Sequence, residues 1–68
     1  MGKLVTQIKQ KRESVNMSQA DLASIVGVRR ETIIRLERGQ YNPSLKLAVD
    51  IAKVFGATVE ELFQYVDE

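Results

Sequence analysis

Four arginines lie close together in one short stretch of this sequence. Arg29, Arg30, Arg35 and Arg38 are four of the ten basic residues in a chain whose formal net charge is only +1. A guanidinium stays charged at neutral pH and presents its N–H groups as a planar fork that suits anionic oxygens. The stretch therefore offers chemistry for binding anions, and its use depends on the element that carries it.

The residue inventory argues against catalysis. The chain has no cysteine and no histidine, so it lacks thiolate nucleophiles, the commonest general base and the commonest zinc ligands. Its acidic residues show no spacing typical of a metal cage. We expect neither an enzyme nor a cofactor or metal site. No apolar run approaches the roughly 20 residues of a membrane span, and no signal peptide is visible, so we expect a cytoplasmic protein.

The charges are distributed unevenly along the chain. Residues 1–46 carry nine basic and four acidic groups, a net charge of +5, whereas residues 47–68 carry one basic and five acidic groups, a net charge of −4. A basic part of this kind favours a polyanionic partner. The length of 68 residues indicates one domain, over residues 1–68.

The hydrophobic periodicity predicts a compact all-α domain of five short helices. Leu4, Ile8 and Val15, with Val5 beside them, form the apolar stripe of the first. The helices are predicted over residues 3–14, from Ser18 to Gly27, over about 29–38, from Ser44 to Gly56, and over one or two turns from Thr58. The apolar face of the fourth is predicted to be Leu45, Ala48, Ile51, Ala52 and Phe55. Residues 64–68 are unassigned.

Local signals mark the ends of these helices. Ser18 with Asp21, and Thr58 with Glu61, have the spacing of a capping box. Ser44 is a suitable N-cap. Glycine tolerates the left-handed backbone that ends many helices, so we expect helix ends at the three glycines after residue 20.

The second and third helices are separated only by Gly27 and Val28. Two helices joined by so short a turn with a glycine predict a helix-turn-helix. In the third helix Ile33 and Leu36 must face inward. The residues left on its outer side then form one contiguous strip. They are Arg30, Glu31, Ile34, Arg35 and Arg38.

These segments resemble a known family. "MSQADLASIVGV" followed by "TIIRLERGQYNPSL" is similar to the Cro/lambda-repressor type of helix-turn-helix regulator, the XRE family, in its short stand-alone form. The resemblance covers about residues 4–63. It implies a five-helix lambda-repressor-like domain that binds double-stranded DNA as a dimer, with the third helix in the major groove.

The resemblance assigns base contacts to the start and middle of the third helix. Arg30 and Glu31 match two family positions that contact base edges and Arg35 matches a third, and arginine suits the O6 and N7 atoms of guanine. Glu31 could accept from a cytosine amino group, stabilise its own helix N-terminus or hold Arg30 or Arg35. Ile34 could contact a thymine methyl group or lean against neighbouring side chains.

Other residues match family positions that contact phosphates. A helix N-terminus attracts anions, and Ser18 and Gln19 begin the second helix. Arg29 departs from the family, because a capping residue is usual there; we expect it to compensate by contacting phosphate, and the alternative is a tolerated surface change. The remaining candidates lie in or beside the loop after the third helix. They are Arg38, Gln40, Tyr41, Asn42 and Lys46.

The family often pairs an arginine of the first helix with a glutamate near the end of the third. The matching residues are Arg12 and Glu37, and a partly buried ion pair would explain an acidic residue on an element that faces DNA. The alternative is two independent surface charges.

The resemblance also implies a homodimer that reads a palindromic operator. The C-terminal part offers apolar residues for the interface, namely Val59, Phe63, Tyr65 and Val66, and residues 64–68 could pair with their counterpart in a second copy as a short strand. Alternatively, these side chains cover the fourth helix within one chain. We expect a transcriptional regulator, in particular a repressor. An antitoxin and a protein-interaction module of the same fold are the alternatives.

Overall fold

Five helices and two strands make up the computed structural model, which describes residues 2–67. Their order is β1 (Gly2–Thr6), α1 (Ile8–Ser14), α2 (Gln19–Val26), α3 (Arg30–Glu37), α4 (Leu45–Phe55), α5 (Val59–Leu62) and β2 (Phe63–Asp67). The predicted five-helix domain is confirmed, with a two-stranded sheet added to it. Met1 and Glu68, the ends of the predicted domain, lie outside the described residues.

Every helix contributes to one hydrophobic core. The largest fully buried side chains are Ile8, Leu22, Ile33, Leu36, Ile51 and Leu62. Burying a side chain of this size stabilises the fold by roughly 1.5–3 kcal/mol. The helices are 4 to 11 residues long, too short to be stable in isolation. Packing against this core, more than helix propensity, therefore holds them in place.

Two capping boxes fix the starts of α2 and α5, as predicted. The hydroxyl of Ser18 accepts from the Asp21 N–H at 2.9 Å, and Asp21 Oδ2 accepts from the Ser18 N–H at 3.0 Å. Thr58 and Glu61 repeat the arrangement at 3.1 and 3.0 Å. The backbone N–H groups of Ser18 and Thr58, followed by their hydroxyls, lower the pKa of Asp21 and of Glu61.

The first predicted helix is wrong in its N-terminal part. Residues 2–6 form β1, which pairs antiparallel with β2 so that Leu4 lies opposite Tyr65. Leu4 and Ile8 are four residues apart, which satisfies a helical stripe, but Leu4 is buried while Val5 is exposed, which is the alternation of a strand. Val15 is also 57% exposed and does not belong to a buried stripe.

The C-terminal segment forms a strand, as the sequence allows for residues 64–68. Residues 63–67 pair with residues 2–6 of the same chain, and the pairing of this strand with a second copy stays a prediction.

The predicted face of α4 needs one correction. Leu45 is 76% exposed, and Leu47 is buried instead. The buried residues Leu47, Ala48, Ile51 and Ala52 form an i, i+1, i+4, i+5 strip on the inner side of the helix.

Candidate nucleic-acid interface

The turn between α2 and α3 has the geometry that its sequence predicts. Gly27 ends α2 in the left-handed conformation, with φ 73° and ψ 35°. The Val28 N–H donates to the Ala23 carbonyl at 3.0 Å, and the Val28 side chain packs against the core. Ala23 is itself buried, and its small side chain allows the helices to cross closely. The predicted helix-turn-helix is confirmed.

The outer side of α3 carries the charged strip. Ile33 and Leu36 are fully buried, and this fixes the rotation of the helix. The arginines at positions 30, 35 and 38 are exposed, as is Glu31, whereas Ile34 is half-buried. Glu31 makes no salt bridge to an arginine within residues 2–67, so the idea that it holds Arg30 or Arg35 in place receives no support.

A shallow basic groove adjoins this strip. About 410 Å³ in volume, it is lined by Lys9, Arg12, Gln19, Arg30, Ile34, Glu37 and Arg38. Four of these residues are cationic and one is acidic. Because the acidic residue is paired with Arg12, the exposed charge of the groove is positive, which suits an anionic backbone.

Arg12 and Glu37 form a buried, bidentate ion pair. Arg12 Nε donates to Glu37 Oε2 at 2.8 Å and Nη2 donates to Oε1 at 3.2 Å. The two side chains are 9% and 6% exposed. Arg12 Nη1 also donates to the carbonyl of Met17 at 2.8 Å. The hydrogen bond to Glu37 raises the pKa of Arg12. The pair thus ties α1 to the end of α3 and to the turn before α2.

Gln19 connects this pair to the exposed strip. Its Nε2 donates to Glu37 Oε1 at 3.1 Å, and its Oε1 accepts from Arg30 Nη2 at 3.4 Å. Sequence reasoning assigned Gln19 to phosphate contact alone and missed both contacts. The partners lie 18 and 11 residues away along the chain, and no local pattern connects them.

The N-termini of α2 and α3 at this surface differ in how they are capped. Ser18 is exposed, and its hydroxyl and N–H are both used in the capping box. Arg29 is the N-cap of α3 and provides no side-chain cap. The N-terminus of α3 therefore receives no cap from the side chain of its own N-cap residue, which is an exposed arginine.

The loop after α3 contains the remaining phosphate candidates. Asn42 Oδ1 already accepts from the Tyr65 hydroxyl at 2.6 Å, and Lys46 Nζ lies 2.7 Å from Asp50 Oδ2 although the lysine side chain is 85% exposed. Gln40 and Tyr41 are exposed.

Comparison with known proteins places the chain in a family. The family model described as helix-turn-helix matches residues 8–62. An uncharacterized HTH-type transcriptional regulator of Archaeoglobus fulgidus is 57% identical over 63 residues, which cover 93% of this chain and 89% of that protein. The chain belongs to the XRE-type helix-turn-helix family. It is thus similar over nearly its whole length to proteins named as transcriptional regulators.

Solved structures share the fold of this helix-turn-helix protein. The restriction-modification controller protein C.AhdI of Aeromonas hydrophila has a TM-score of 0.73 and 29% identity, over 81% of this chain and 83% of that one. Hydroxypropylphosphonic acid epoxidase of S. wedmorenis has a TM-score of 0.71 and 34% identity over 79% of this chain. The likeness covers only 29% of the enzyme and assigns no reaction to this protein.

Two other kinds of site have no counterpart in residues 2–67. None of the helices there is long and apolar enough to cross a membrane. Among the same residues, no cluster of three acidic side chains could bind a metal ion.

Proposed function

We propose that this helix-turn-helix protein binds double-stranded DNA with α3 in the major groove. The observation that carries the proposal is the two-sided character of α3. Its inner side is fixed by Ile33 and Leu36, and its outer side presents Arg30 and Arg35 beside a basic groove. An α-helix fits the major groove, where arginine can distinguish guanine, while the other basic residues neutralise phosphates.

Selection of bound sequences from random duplex DNA, followed by affinity measurements over a range of salt, tests this proposal. We expect a negative log–log slope of about 0.9 per phosphate neutralised. A salt-independent affinity would contradict the proposal.

Substitutions separate base reading from phosphate contact. Arg30→Ala and Arg35→Ala should each weaken binding by roughly 1–3 kcal/mol and relax the preference at particular base pairs. Lys46→Ala is the matched control, because it removes one exposed cation outside α3 and should weaken all sequences about equally. An unchanged selected motif for Arg30→Ala would exclude Arg30 as a reader.

We propose that the protein reads a palindromic operator as a homodimer. One recognition helix contacts few base pairs, and two-fold symmetry places two of them in successive major grooves about 34 Å apart. An apolar groove whose lining residues include no arginine supports this. Leu45 and Tyr65 in it are 76% and 64% exposed. The groove is lined by Leu4, Pro43, Leu45, Ala48, Val59, Phe63 and Tyr65.

The interface candidates contribute differently to this groove. Val59 and Phe63 are half-buried and pack partly against the core of their own domain, as the intrachain alternative supposes. Tyr65 keeps most of its surface exposed, and Val66 is 48% exposed. Leu45, which the sequence pattern assigned to the core, is the better anchor for a second copy. An exposed apolar cluster of this kind is typical of an interface.

Sedimentation of the wild type, Leu45→Asp and Ile25→Asp tests the dimer. Ile25 is the matched control because it is 59% exposed and does not line the groove. We expect Leu45→Asp alone to shift the protein to monomer at tens of micromolar and to weaken binding to palindromic DNA. Equal association of all three proteins would exclude the groove as the interface.

We propose that the bound dimer represses transcription by occupying its operator. A reporter gene placed behind the selected sequence tests this. We expect reduced expression with the wild type and restored expression with Arg30→Ala. Increased expression with the wild type would indicate an activator.

A further inference from the structure

We propose that Glu37 is a positioning residue that sets the base preference of Arg30, acting through Gln19. The inference rests on the proposed DNA binding. Glu37 has a side chain only 6% exposed, which leaves it almost no surface for DNA. Any influence of this carboxylate on base reading must therefore pass through another side chain, and Gln19 contacts both Glu37 and Arg30.

The carboxylate of Glu37 determines which way the Gln19 amide faces. An ionised carboxylate can only accept hydrogen bonds, whereas the two ends of an amide are a donor and an acceptor. Glu37 Oε1 lies 3.1 Å from Gln19 Nε2. Because this oxygen can only accept, the NH₂ end of the amide must face Glu37. The carbonyl end is then directed toward Arg30.

The carbonyl oxygen of Gln19 therefore accepts a hydrogen bond from Arg30. Arg30 Nη2 lies 3.4 Å from Gln19 Oε1, a long and weak hydrogen bond between exposed groups. Such a contact contributes little to folding, but it favours one direction of the guanidinium. The other N–H groups of Arg30 remain available to a base edge. Fixing this direction before binding should favour the base that suits it.

Arg12 also contacts Glu37, and the acceptor character of Glu37 toward Gln19 does not depend on the arginine fork. Two of its hydrogen bonds go to the Glu37 carboxylate, and its third, to the Met17 carbonyl, fixes the guanidinium beside the start of α2. The buried pair thus does more than join α1 to α3. Its carboxylate is an acceptor for Gln19, which in turn contacts Arg30.

Glu37→Gln directly tests the relay, meaning the chain of hydrogen bonds from Glu37 through Gln19 to Arg30. An amide at position 37 no longer requires the NH₂ end of Gln19, so the Gln19 amide can turn over and present a donor to Arg30. We expect the discrimination at the base pair read by Arg30 to fall about fivefold, the lower end of what one good base contact provides. In an Arg30→Ala background, Glu37→Gln should cause no further relaxation.

Arg12→Lys is the matched control. It weakens the same ion pair and lowers stability, but it leaves Glu37 as a carboxylate that accepts from Gln19. We expect Arg12→Lys to retain the wild-type preference. Equal relaxation by Arg12→Lys and Glu37→Gln would reduce Glu37 to a structural role and overturn the proposal.

Gln19→Met provides a second route, because it keeps the side-chain length and leaves the buried ion pair intact even if Glu37→Gln fails to fold. Selection from random DNA should show a relaxed preference at the same base pair. The overall affinity of Gln19→Met for DNA can also fall, because Gln19 is a phosphate candidate. The deciding quantity is therefore the ratio of its affinities for DNA sequences that differ at this base pair. An unchanged ratio in Gln19→Met would overturn the proposal.

A measurement without DNA separates the relay from the proposed function. In ¹⁵N-correlated spectra of the free wild type, we expect the two side-chain amide protons of Gln19 to be widely separated, and Glu37→Gln should bring them together. Unchanged Gln19 signals would refute the relay whatever the protein binds. If these signals respond but the wild type selects no DNA sequence, the proposed function fails, and with it the role of Glu37 in base preference.

Discussion

The hydroxyl of Tyr65 donates a hydrogen bond to Oδ1 of Asn42 across 2.6 Å. This contact joins β2 to the loop that follows α3, 23 residues away in the sequence. Because Oδ1 is the acceptor, the Nδ2 donor of Asn42 is directed away from Tyr65. Tyr65 also lines the proposed dimer groove, so one side chain connects the two proposed surfaces.

Tyr65→Phe isolates this hydrogen bond because it removes only the hydroxyl. We expect the free energy of unfolding to fall by about 0.5 kcal/mol, since the contact is exposed. The affinity for DNA should fall without a change in base preference, because Asn42 loses its fixed direction. Urea unfolding and fluorescence anisotropy measure the two effects. Additive effects of Tyr65→Phe and Asn42→Ala would show that the residues are uncoupled.

Gly39 cannot be replaced as easily as the other helix-ending glycines. It has φ 70°, and a Cβ at this position would overlap the carbonyl of Leu4 in β1, whereas a Cβ at Gly27, with φ 73°, would meet no atom within 4 Å. Gly27→Ala should cost about 1 kcal/mol for the left-handed backbone alone. Gly39→Ala should cost at least about 1 kcal/mol more, because β1 must move. Equal denaturation midpoints for the two variants would contradict this packing.

Much of the fold follows from local patterns. The capping boxes, the Gly27 turn and the buried positions of α3 depend on residues within a few positions of one another, and the sequence predicts them correctly. The prediction of the first helix is wrong because the residues that decide its structure are far apart in the sequence. Leu4 and Ile8 fit a helical stripe, but the partner that makes residues 2–6 a strand lies some 60 residues later, at Phe63–Asp67.

In the candidate site, too, local patterns predict some features and miss contacts between separate helices. Periodicity alone identifies the exposed strip on α3, because Ile33 and Leu36 fix the rotation of that helix. The contact of Gln19 with Glu37 and Arg30 joins separate helices, and nothing in a local pattern requires it. Leu45 illustrates the opposite error, since its spacing from Ala48 predicts burial where the fold supplies no covering element.

Arg12 and Glu37 should be energetically coupled. Removing either partner leaves a buried charge without its counterion, and this costs about 3–5 kcal/mol for a fully buried pair. We therefore expect a double-mutant cycle with Arg12→Met and Glu37→Met to give a coupling free energy above about 0.5 kcal/mol. Chemical denaturation of the four proteins measures it. Lys46 and Asp50 are the matched exposed pair, and their cycle should give a smaller value because solvent screens it.

The capping boxes should make stability depend on acid pH. Asp21 and Glu61 have pKa values lowered below their ordinary values of 3.8 and 4.5, because the backbone N–H of Ser18 or Thr58, followed by its hydroxyl, favours the ionised carboxylate. The folded state therefore binds fewer protons than the unfolded state in this range. The stabilisation is complete above about pH 5 and is lost as the pH falls through the folded pKa values.

Substitution at the start of α5 tests this dependence. Glu61→Gln should lower the free energy of unfolding near neutral pH, and its difference from the wild type should shrink as the pH falls below about 4. Glu60→Gln is the control, because it removes an acidic group from the same first turn without disturbing the capping box. Urea denaturation at a series of pH values measures both. A wild-type advantage over Glu61→Gln that persists unchanged into strong acid would show that the capping carboxylate does not act through its ionised form.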